Sequence, residues 1–420
     1  MLLSSLGVRR RALLALAGAV LISAGGIAPP AEAQDIRSQQ WYLDAMKADD
    51  MWKVSRGQGV KVAVIDTGVN TSLLELKSQV LNGKDFSKTG KGAEEDSDGH
   101  GSNMAALIAG TGSGGGIQGV APGAKILPLK VAVDPHSFAV DSVLSKAIRF
   151  AAEQNAQVIN ISMGSTGASD YYPKTKLAVE YALERGSLIL AASGNDGGKS
   201  NLPSYPAAIP GVVAVGAIDR AGKVAKFSTS GDYVGLVALG DDIPIHCTKS
   251  EGICNSGGTS QATAIASASA ALIWAKHPKW TGNQVLRAMM QTAARPTTGD
   301  IPSVYVGYGS IRPRKVLLDG EGDPGPANVN PLLAREGATK PNPSASASAP
   351  SSASPSTDPQ STPTATDDKK GDKKTVAEPK KNDDSSSTLW IAIGAGIAVL
   401  LAAAVAIALV RRRGSASASL

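Results

Sequence analysis

Short apolar runs alternate with stretches of helical spacing through the middle of the chain. Each run is mostly β-branched or aliphatic, which is typical of parallel strands buried on both faces. Apolar residues follow helical spacing over 140–151 and 177–182. Strand, helix and strand in repetition predict an α/β fold with a doubly wound, mostly parallel sheet and helices on both faces. The predicted strands are 60–65, 125–131, 157–161, 188–192 and 212–217.

Two further helices are expected to close this domain. One begins at or just before Ser260 and ends before Pro278. The other begins at Thr281, because Thr281 and Gln284 have the spacing of a capping box.

Both ends of the chain carry targeting patterns. Residues 1–33 combine an Arg triplet, an apolar run and a small-x-small cleavage pattern, which predicts a secretory signal peptide. Residues 389–410 are uncharged and apolar, and a helix of roughly 22 residues spans about 33 Å, the thickness of a bilayer core. The Arg residues that follow predict a cytoplasmic tail at 411–420 and an extracellular position for the preceding chain. The alternative for each apolar segment is a buried core helix.

Composition divides the chain between these ends into three parts. Residues 34–56 are too short for a separate domain, so we expect an extension that packs on the folded part through its apolar residues Trp41, Tyr42, Leu43, Met46 and Trp52. Residues 57–320 are within the size of a single α/β domain. Residues 321–388 are rich in Pro, Ser and Thr and then in Lys and Asp, which predicts a linker without a core of its own.

The formal net charge of +6 does not indicate a nucleic-acid partner. The Arg triplets at 9–11 and 411–413 contribute three positive charges each and lie where membrane topology requires them. The rest of the chain is formally neutral, so we predict no nucleic-acid binding.

Cys247 and Cys254 lie close together on the predicted extracellular side. This spacing and compartment predict a disulfide just ahead of Ser260, with two free thiols as the alternative.

Polar residues that follow the predicted strands are the candidates for chemistry, because doubly wound sheets carry function in the loops beyond the carboxyl ends of their strands. Asp66 ends the run VAVID and is either a catalytic carboxylate or a turn cap. His100 lies between two glycines, which let neighbouring backbone approach an imidazole that acts as a general base. The alternative is a turn histidine without a catalytic role.

Ser260 follows two glycines at the start of an alanine-rich helix. A serine there is either an N-cap or a nucleophile, because backbone N–H groups at a helix start stabilise an oxyanion. Asn195 follows another strand in the segment AASGND and is either a turn residue or a second oxyanion donor. The order Asp66, His100, Ser260 is the chain order of a subtilisin triad.

Several segments resemble, in the same order, blocks of the subtilisin-like serine peptidases. They are VAVIDTGV, DGHGS, GVAPGAKILPLKV, VINISMGS, AASGND, YPAAIPGVVAVGAID and GGTSQATA. The layout of signal peptide, linker and membrane helix resembles the mycosins, which are membrane-anchored subtilases associated with type VII secretion. The resemblance implies a subtilisin-like fold and an extracellular serine endopeptidase that acts on proteins or peptides beside a secretion membrane complex. The alternative is a subtilase fold retained as a scaffold of that complex, with little or no proteolysis.

The resemblance also assigns roles by position. It implies that Asp66 orients the imidazole, His100 is the base, Ser260 is the nucleophile and Asn195 donates to the oxyanion. It implies substrate-binding roles on two sides of a cleft for Ser162, Met163 and Gly164 and for Ala192, Ser193 and Gly194. We expect no cofactor or catalytic metal; structural calcium occurs in relatives, but the sequence locates no site for it. The family usually has Pro where this chain has Ala264.

Overall fold

The computed structural model describes residues 36–87, 90–131 and 139–335. The predicted signal peptide, the linker beyond residue 335, the membrane helix at 389–410 and the tail at 411–420 lie outside the described residues. Within the described ranges, no helix combines the length and the apolar character needed to cross a membrane.

The described helices and strands follow one another along the chain. The helices are α1 (Ile36–Gln39), α2 (Trp41–Met46), α3 (Ala48–Trp52), α4 (His100–Ala109), α5 (Ala139–Glu153), α6 (Pro173–Glu184), α7 (Thr259–Lys276), α8 (Gly282–Thr292), α9 (Pro313–Leu317) and α10 (Pro331–Arg335). The strands are β1 (Lys61–Asp66), β2 (Lys84–Asp85), β3 (Lys125–Lys130), β4 (Val158–Ile161), β5 (Ser165–Thr166), β6 (Leu188–Ala192), β7 (Ser204–Tyr205), β8 (Val213–Ile218), β9 (Val234–Leu239), β10 (Ile243–His246) and β11 (Ile253–Ser256).

A sheet of seven described strands forms the centre of the fold. Its order is β2-β3-β1-β4-β6-β8-β9, and all neighbouring strands are parallel. Strand β1 has β3 on one side and β4 on the other. The chain forms β2 and β3 on one side of β1 and then crosses to form β4 on the other side, so the strand order reverses at β1. In such sheets a crevice opens beyond the carboxyl ends of the strands where the order reverses. Asp66, the last residue of β1, lies at this crevice.

Helices cover both faces of the sheet. Successive strand residues point to opposite faces. Val62 and Val64 pack in one core with α4 and α7, whereas Ala63 and Ile65 pack in the other with α5 and α6. The predicted doubly wound, mostly parallel sheet with helices on both faces is therefore confirmed.

Helix α7 passes through the larger core. Every residue from Thr259 to Trp274 is buried, as expected for a helix without a polar face. Its many Ala, Ser and Thr side chains leave room for neighbouring elements to approach. The predicted bounds of this helix agree with the structure, and Thr281 and Gln284 form the predicted capping box at the start of α8.

The five predicted strands agree with β1, β3, β4, β6 and β8 to within one residue at each end. Strand β9 has no counterpart among the predicted strands. Gly235 interrupts its apolar run, and glycine inside a strand weakens the strand pattern.

The N-terminal segment 36–56 packs on the α/β domain. Tyr42, Leu43 and Met51 are fully buried in the larger core. The indole N–H of Trp41 donates to the carbonyl of Asp242, and that of Trp52 donates to the carbonyl of Val120. This segment therefore completes the hydrophobic core.

Residues 321–335, here termed the C-terminal strap, lie along α8, although the sequence predicts that the linker begins at residue 321. The guanidinium of Arg287 donates to the carbonyls of Pro324, Pro326 and Val329 at 2.8, 3.0 and 2.8 Å. The side chain of Gln284 donates to the carbonyl of Gly325. The strap is held through its backbone carbonyls, and for this reason its composition does not reveal the contact.

Replacing Arg287 with alanine should release the strap from α8. Each hydrogen bond from a charged donor is worth about 1 to 3 kcal/mol, so the strap should open locally while the sheet stays folded. Limited proteolysis of the variant should cut within 321–335 faster than in the wild type, whereas replacement of the exposed Arg295 just after α8 should not change the rate. Equal cleavage of the Arg287 and Arg295 variants would show that the guanidinium does not hold the strap.

Candidate active site

A carboxylate and an imidazole meet at the carboxyl end of β1. Asp66 is fully buried, and its Oδ1 lies 2.7 Å from Nδ1 of His100, the first residue of α4. The backbone N–H of Thr67 donates to the same oxygen. About a third of the His100 side chain is exposed. Asp66 therefore fixes one ring nitrogen, while part of the ring remains open to solvent.

The glycine that follows His100 permits this close approach. A Cβ at Gly101 would lie 2.2 Å from the carbonyl oxygen of Gly68 and 3.2 Å from Oδ1 of Asp66. Any larger residue would push the start of α4 away from the carboxylate.

The Asp66 carboxylate raises the pKa of His100 from its ordinary value of 6.5 to about 9. The main cause is Coulomb attraction, which favours the imidazolium; burial opposes it, and the hydrogen bond to Asp66 and the charges of Asp98 and Asp96 add to it. The resting site therefore holds a protonated imidazole around neutral pH.

Ser260 is the second residue of α7 and is buried. Its hydroxyl donates to the carbonyl of Ser162 at 2.8 Å, and the Ser162 hydroxyl donates to the carbonyl of Ser260 at 3.3 Å. Asn160 donates to the Ser162 hydroxyl and accepts from Ser267 on α7. Buried polar contacts thus join the start of α7 to the end of β4.

The contacts of Asn195 determine which way its amide points. Its Oδ1 accepts from the backbone N–H of Thr259 at 2.9 Å and from the Thr259 hydroxyl at 3.0 Å. Because a backbone N–H can only donate, the oxygen faces Thr259 and Nδ2 is left to donate elsewhere. A Cβ at Gly258 would lie 3.7 Å from this Nδ2, which places the amide donor beside the residues that lead into Ser260.

Two backbone segments contact the start of α7, because Ser162 meets Ser260 and the backbone N–H of Gly194 donates to the hydroxyl of Thr259. Residues 162–164 follow β4, and residues 192–194 lie at and after the end of β6. A Cβ at Gly164 would lie 2.4 Å from the hydroxyl of Ser204, and one at Gly194 would lie 3.3 Å from Cβ of Ser204. Ser204 therefore lies close to both segments.

The hairpin of β10 and β11 leads directly into Ser260 and also contacts α4. A disulfide joins Cys247 and Cys254, with Cα atoms 5.1 Å apart. Asn103, one turn after His100, donates to the carbonyl of His246 and accepts from its backbone N–H. The hairpin thus holds the elements that carry His100 and Ser260.

Glu75 meets the imidazole of His246 at the end of β10, next to the turn of this hairpin. Burial would raise the pKa of Glu75, but the hydrogen bond from His246 and the backbone contacts outweigh it and lower the pKa below its ordinary value. Glu75 is thus a buried carboxylate with a partner, and this contact also holds the hairpin.

A hydroxyl at a helix start, an imidazole held by a buried carboxylate and an amide N–H donor are the groups that acyl transfer needs. The comparisons with known proteins agree with this chemistry. Residues 57–309 match the family model described as "Subtilase family". The chain belongs to the subtilase family. It is a serine endopeptidase of the subtilisin type.

Two curated relatives of this subtilase are bacterial serine proteases. Subtilisin of Bacillus pumilus is 35% identical over 258 residues, which cover 61% of this chain and 90% of the relative. The major intracellular serine protease of Bacillus subtilis is 37% identical over 219 residues, which cover 50% of this chain and 68% of the relative.

Solved mycosin structures are also similar to this subtilase. The crystal structure of MycP1 from Mycobacterium smegmatis matches with a TM-score of 0.60 and 29% identity, over 69% of this chain and 86% of that one. The MycP3 protease from the type VII (ESX-3) secretion system matches with a TM-score of 0.57 and 29% identity, over 66% and 87% of the two chains. The predicted resemblance to subtilisins and mycosins is confirmed.

The site of this subtilase brings most of the predicted residues together in pairs. Asp66 meets His100, Ser260 meets Ser162, and Asn195 meets the residue before Ser260. In the part of the chain that the structure describes, the Ser260 hydroxyl donates to Ser162 and not to His100. Met163 is partly buried in the core that contains α5 and α6, so its side chain packs there.

Sequence reasoning missed three residues of the site, namely Asp96, Ser204 and Thr259. Each makes a contact with a segment that is distant in the sequence, and no local pattern marks it as part of the site. Among the described residues, no group of three or more His, Cys, Asp or Glu side chains is arranged to hold a metal ion.

Proposed function

We propose that Asp66, His100 and Ser260 are the catalytic triad of this peptidase. The observation that carries the proposal is the 2.7 Å contact between Oδ1 of Asp66 and Nδ1 of His100, at the head of a helix that packs against α7. Because Asp66 accepts from Nδ1–H, the other ring nitrogen of neutral His100 is free to accept a proton.

In the acylation step, Nε2 of His100 takes the proton of the Ser260 hydroxyl while Oγ attacks the scissile carbonyl carbon. The hydroxyl must first turn away from the Ser162 carbonyl. The tetrahedral intermediate collapses when His100 gives the proton to the leaving amine, which departs and leaves an acyl-enzyme. A water molecule then repeats the sequence, releases the acid and restores Ser260.

The negative charge of the intermediate forms on the former carbonyl oxygen. Nδ2 of Asn195 and the backbone N–H of Ser260 are the proposed donors to it. Thr259 holds the Asn195 amide in the required orientation before substrate arrives. A donor that is already oriented stabilises the transition state without a reorganisation cost.

The proposed substrate is an extended peptide that lies along residues 162–164 with one side chain in the cleft. Backbone at the end of β4 offers the N–H and C=O groups that pair with an added strand. Residues 192–194 form the proposed opposite wall, and Ser204 lies close to both segments.

The raised pKa of His100 predicts an alkaline activity profile. The base must be neutral, so kcat/KM should rise with pH and reach half its plateau near pH 9. The same shift has the opposite effect on stability: the His100–Asp66 pair stabilises the folded state fully below about pH 6.5 and loses this contribution as pH rises through about 9.

This profile is measurable with a chromogenic peptide between about pH 6 and about pH 10. Asp98→Asn should move the rising limb to lower pH, because the Asp98 charge also raises the pKa of His100. A wild-type kcat/KM that reaches half its plateau at or below about pH 6.5 would contradict the proposal that Asp66 raises the pKa of His100.

Labelling of the full-length protein with a fluorophosphonate, together with digestion of casein, tests the proposed function. Both should occur in the wild type and be lost in Ser260→Ala and His100→Ala variants that remain folded. If the folded wild type is neither labelled nor active, the triad is not assembled for catalysis, and the scaffold role becomes the better account.

We further propose that the enzyme is exported, is anchored by residues 389–410 with its catalytic domain outside the cell, and works beside a type VII secretion complex. The support is the targeting pattern of the two ends and the similarity to mycosins. In intact cells, an added protease should reach the catalytic domain, and deletion of 389–420 should release it from the membrane fraction. A protected domain, or one that stays in the membrane without this segment, would contradict the topology.

A further inference from the structure

Asp96 lies four residues before His100 and has no part in the mechanism proposed above. We infer that Asp96 is a positioning residue that holds the first turn of α4, and with it His100, against Asp66. This inference rests on the proposed role of His100 as the base.

The Asp96 carboxylate receives hydrogen bonds from both sides of the histidine loop. Oδ2 accepts from the backbone N–H and the hydroxyl of Ser102 at 2.8 and 2.7 Å. Oδ1 accepts from the backbone N–H groups of Asp98 and Gly99 at 3.1 and 2.9 Å. One carboxylate thus ties down the residues on either side of His100.

Thr67 connects this carboxylate to Asp66. Its hydroxyl donates to Oδ1 of Asp96 at 2.9 Å and accepts from the backbone N–H of Gly101 at 2.9 Å, while its own backbone N–H donates to Asp66 at 2.8 Å. The residue after the triad aspartate therefore holds the residue after the triad histidine. Movement of either side would break this chain of hydrogen bonds.

A buried lysine of β3 holds the segment that contains Asp96. Lys130 is almost fully buried and pairs in register with Asp66 across β3 and β1. Its ammonium donates to the carbonyl of Glu95 at 2.6 Å. The residue before Asp96 is therefore tied to the rigid sheet, so Asp96 can act as a fixed point rather than as part of a mobile loop.

Only a carboxylate satisfies this set of contacts. All five hydrogen bonds to Asp96 come from donors, three of them backbone N–H groups. In Asp96→Asn, either orientation of the amide would turn Nδ2 toward at least one backbone N–H. The loop would then have to shift, and displacement of a catalytic group by about 1 Å can cost about 100-fold in rate.

The test compares Asp96→Asn with Asp98→Asn in the full-length protein. Asp98 is exposed and also raises the pKa of His100, and an Asn there keeps the oxygen that accepts from the His100 backbone N–H. In both variants, the rise of activity with pH should shift to lower pH. Only Asp96→Asn should also lower kcat, by about 10- to 100-fold, with KM changed by less than about threefold. Equal kcat values for the two variants would overturn the inference.

Thr67 supplies a second test in case Asp96→Asn does not fold. Thr67→Val removes the hydroxyl at nearly constant shape and should lower kcat, whereas Thr67→Ser should restore it. If both retain wild-type kcat, the inference fails. Ser260→Ala separates the two proposals: activity in that variant would refute the proposed triad, whereas an inactive Ser260→Ala beside a fully active Asp96→Asn would refute only the role of Asp96.

Discussion

Ser260→Ala should lower kcat by about a millionfold, because the nucleophile of the acyl transfer is lost; this is the size of the effect in subtilisins. His100→Ala should cost about as much, and the double variant little more, since the two side chains act as one unit. Steady-state kinetics on a peptide substrate, with titration of residual wild-type contamination, measures all three.

Ser269→Ala is the matched control for this experiment. Ser269 is a second buried serine of α7, but its hydroxyl donates to the carbonyl of Ile265 within the same helix. Its removal should leave kcat within about threefold of the wild type, because such a bond within a helix contributes little. If Ser260→Ala retained activity comparable to Ser269→Ala, the nucleophile would have to be another residue.

Asn195→Ala should lower kcat by about 100- to 1000-fold with little change in KM, because the lost donor acts on charge that exists only in the transition state. This substitution also leaves the backbone N–H of Thr259 without its acceptor, so some stability should be lost.

Asn195→Asp distinguishes the two effects. The carboxylate can still accept from Thr259, so thermal stability should be close to that of the wild type, but it presents a negative oxygen where the amide donated. The loss in kcat should then equal or exceed that of Asn195→Ala. A wild-type kcat in Asn195→Asp would show that Asn195 only supports Thr259 and does not serve the oxyanion.

The main sheet was predictable because its strands are buried on both faces. Such strands are continuous apolar runs, and five of them were placed to within one residue. Helix α7 was predictable from its two ends, because its start follows two glycines and its end precedes Pro278. Asp66 and Ser260 stand at ends of these elements, so their positions followed from the same pattern.

The contacts that hold the site were not predictable in the same way. Asp96 is one of four acidic residues within 94–98, and no local pattern separates an acceptor of five hydrogen bonds from a solvated carboxylate. Ser204 lies against Gly164 only because the short strands β5 and β7 pair. The strap at 321–335 is bound through backbone carbonyls, which every sequence has. These features depend on tertiary approach rather than on composition.

The burial of α7 determines how the enzyme loses activity during unfolding. Hydrogen exchange in a helix enclosed on all sides proceeds only through opening of the whole surrounding core, so Ser260 belongs to the last cooperative unit to unfold. His100 begins α4, and residues 101–109 of that helix are buried beside α7. Denaturation should therefore remove the base and the nucleophile in one cooperative step, so that loss of activity coincides with unfolding of this core.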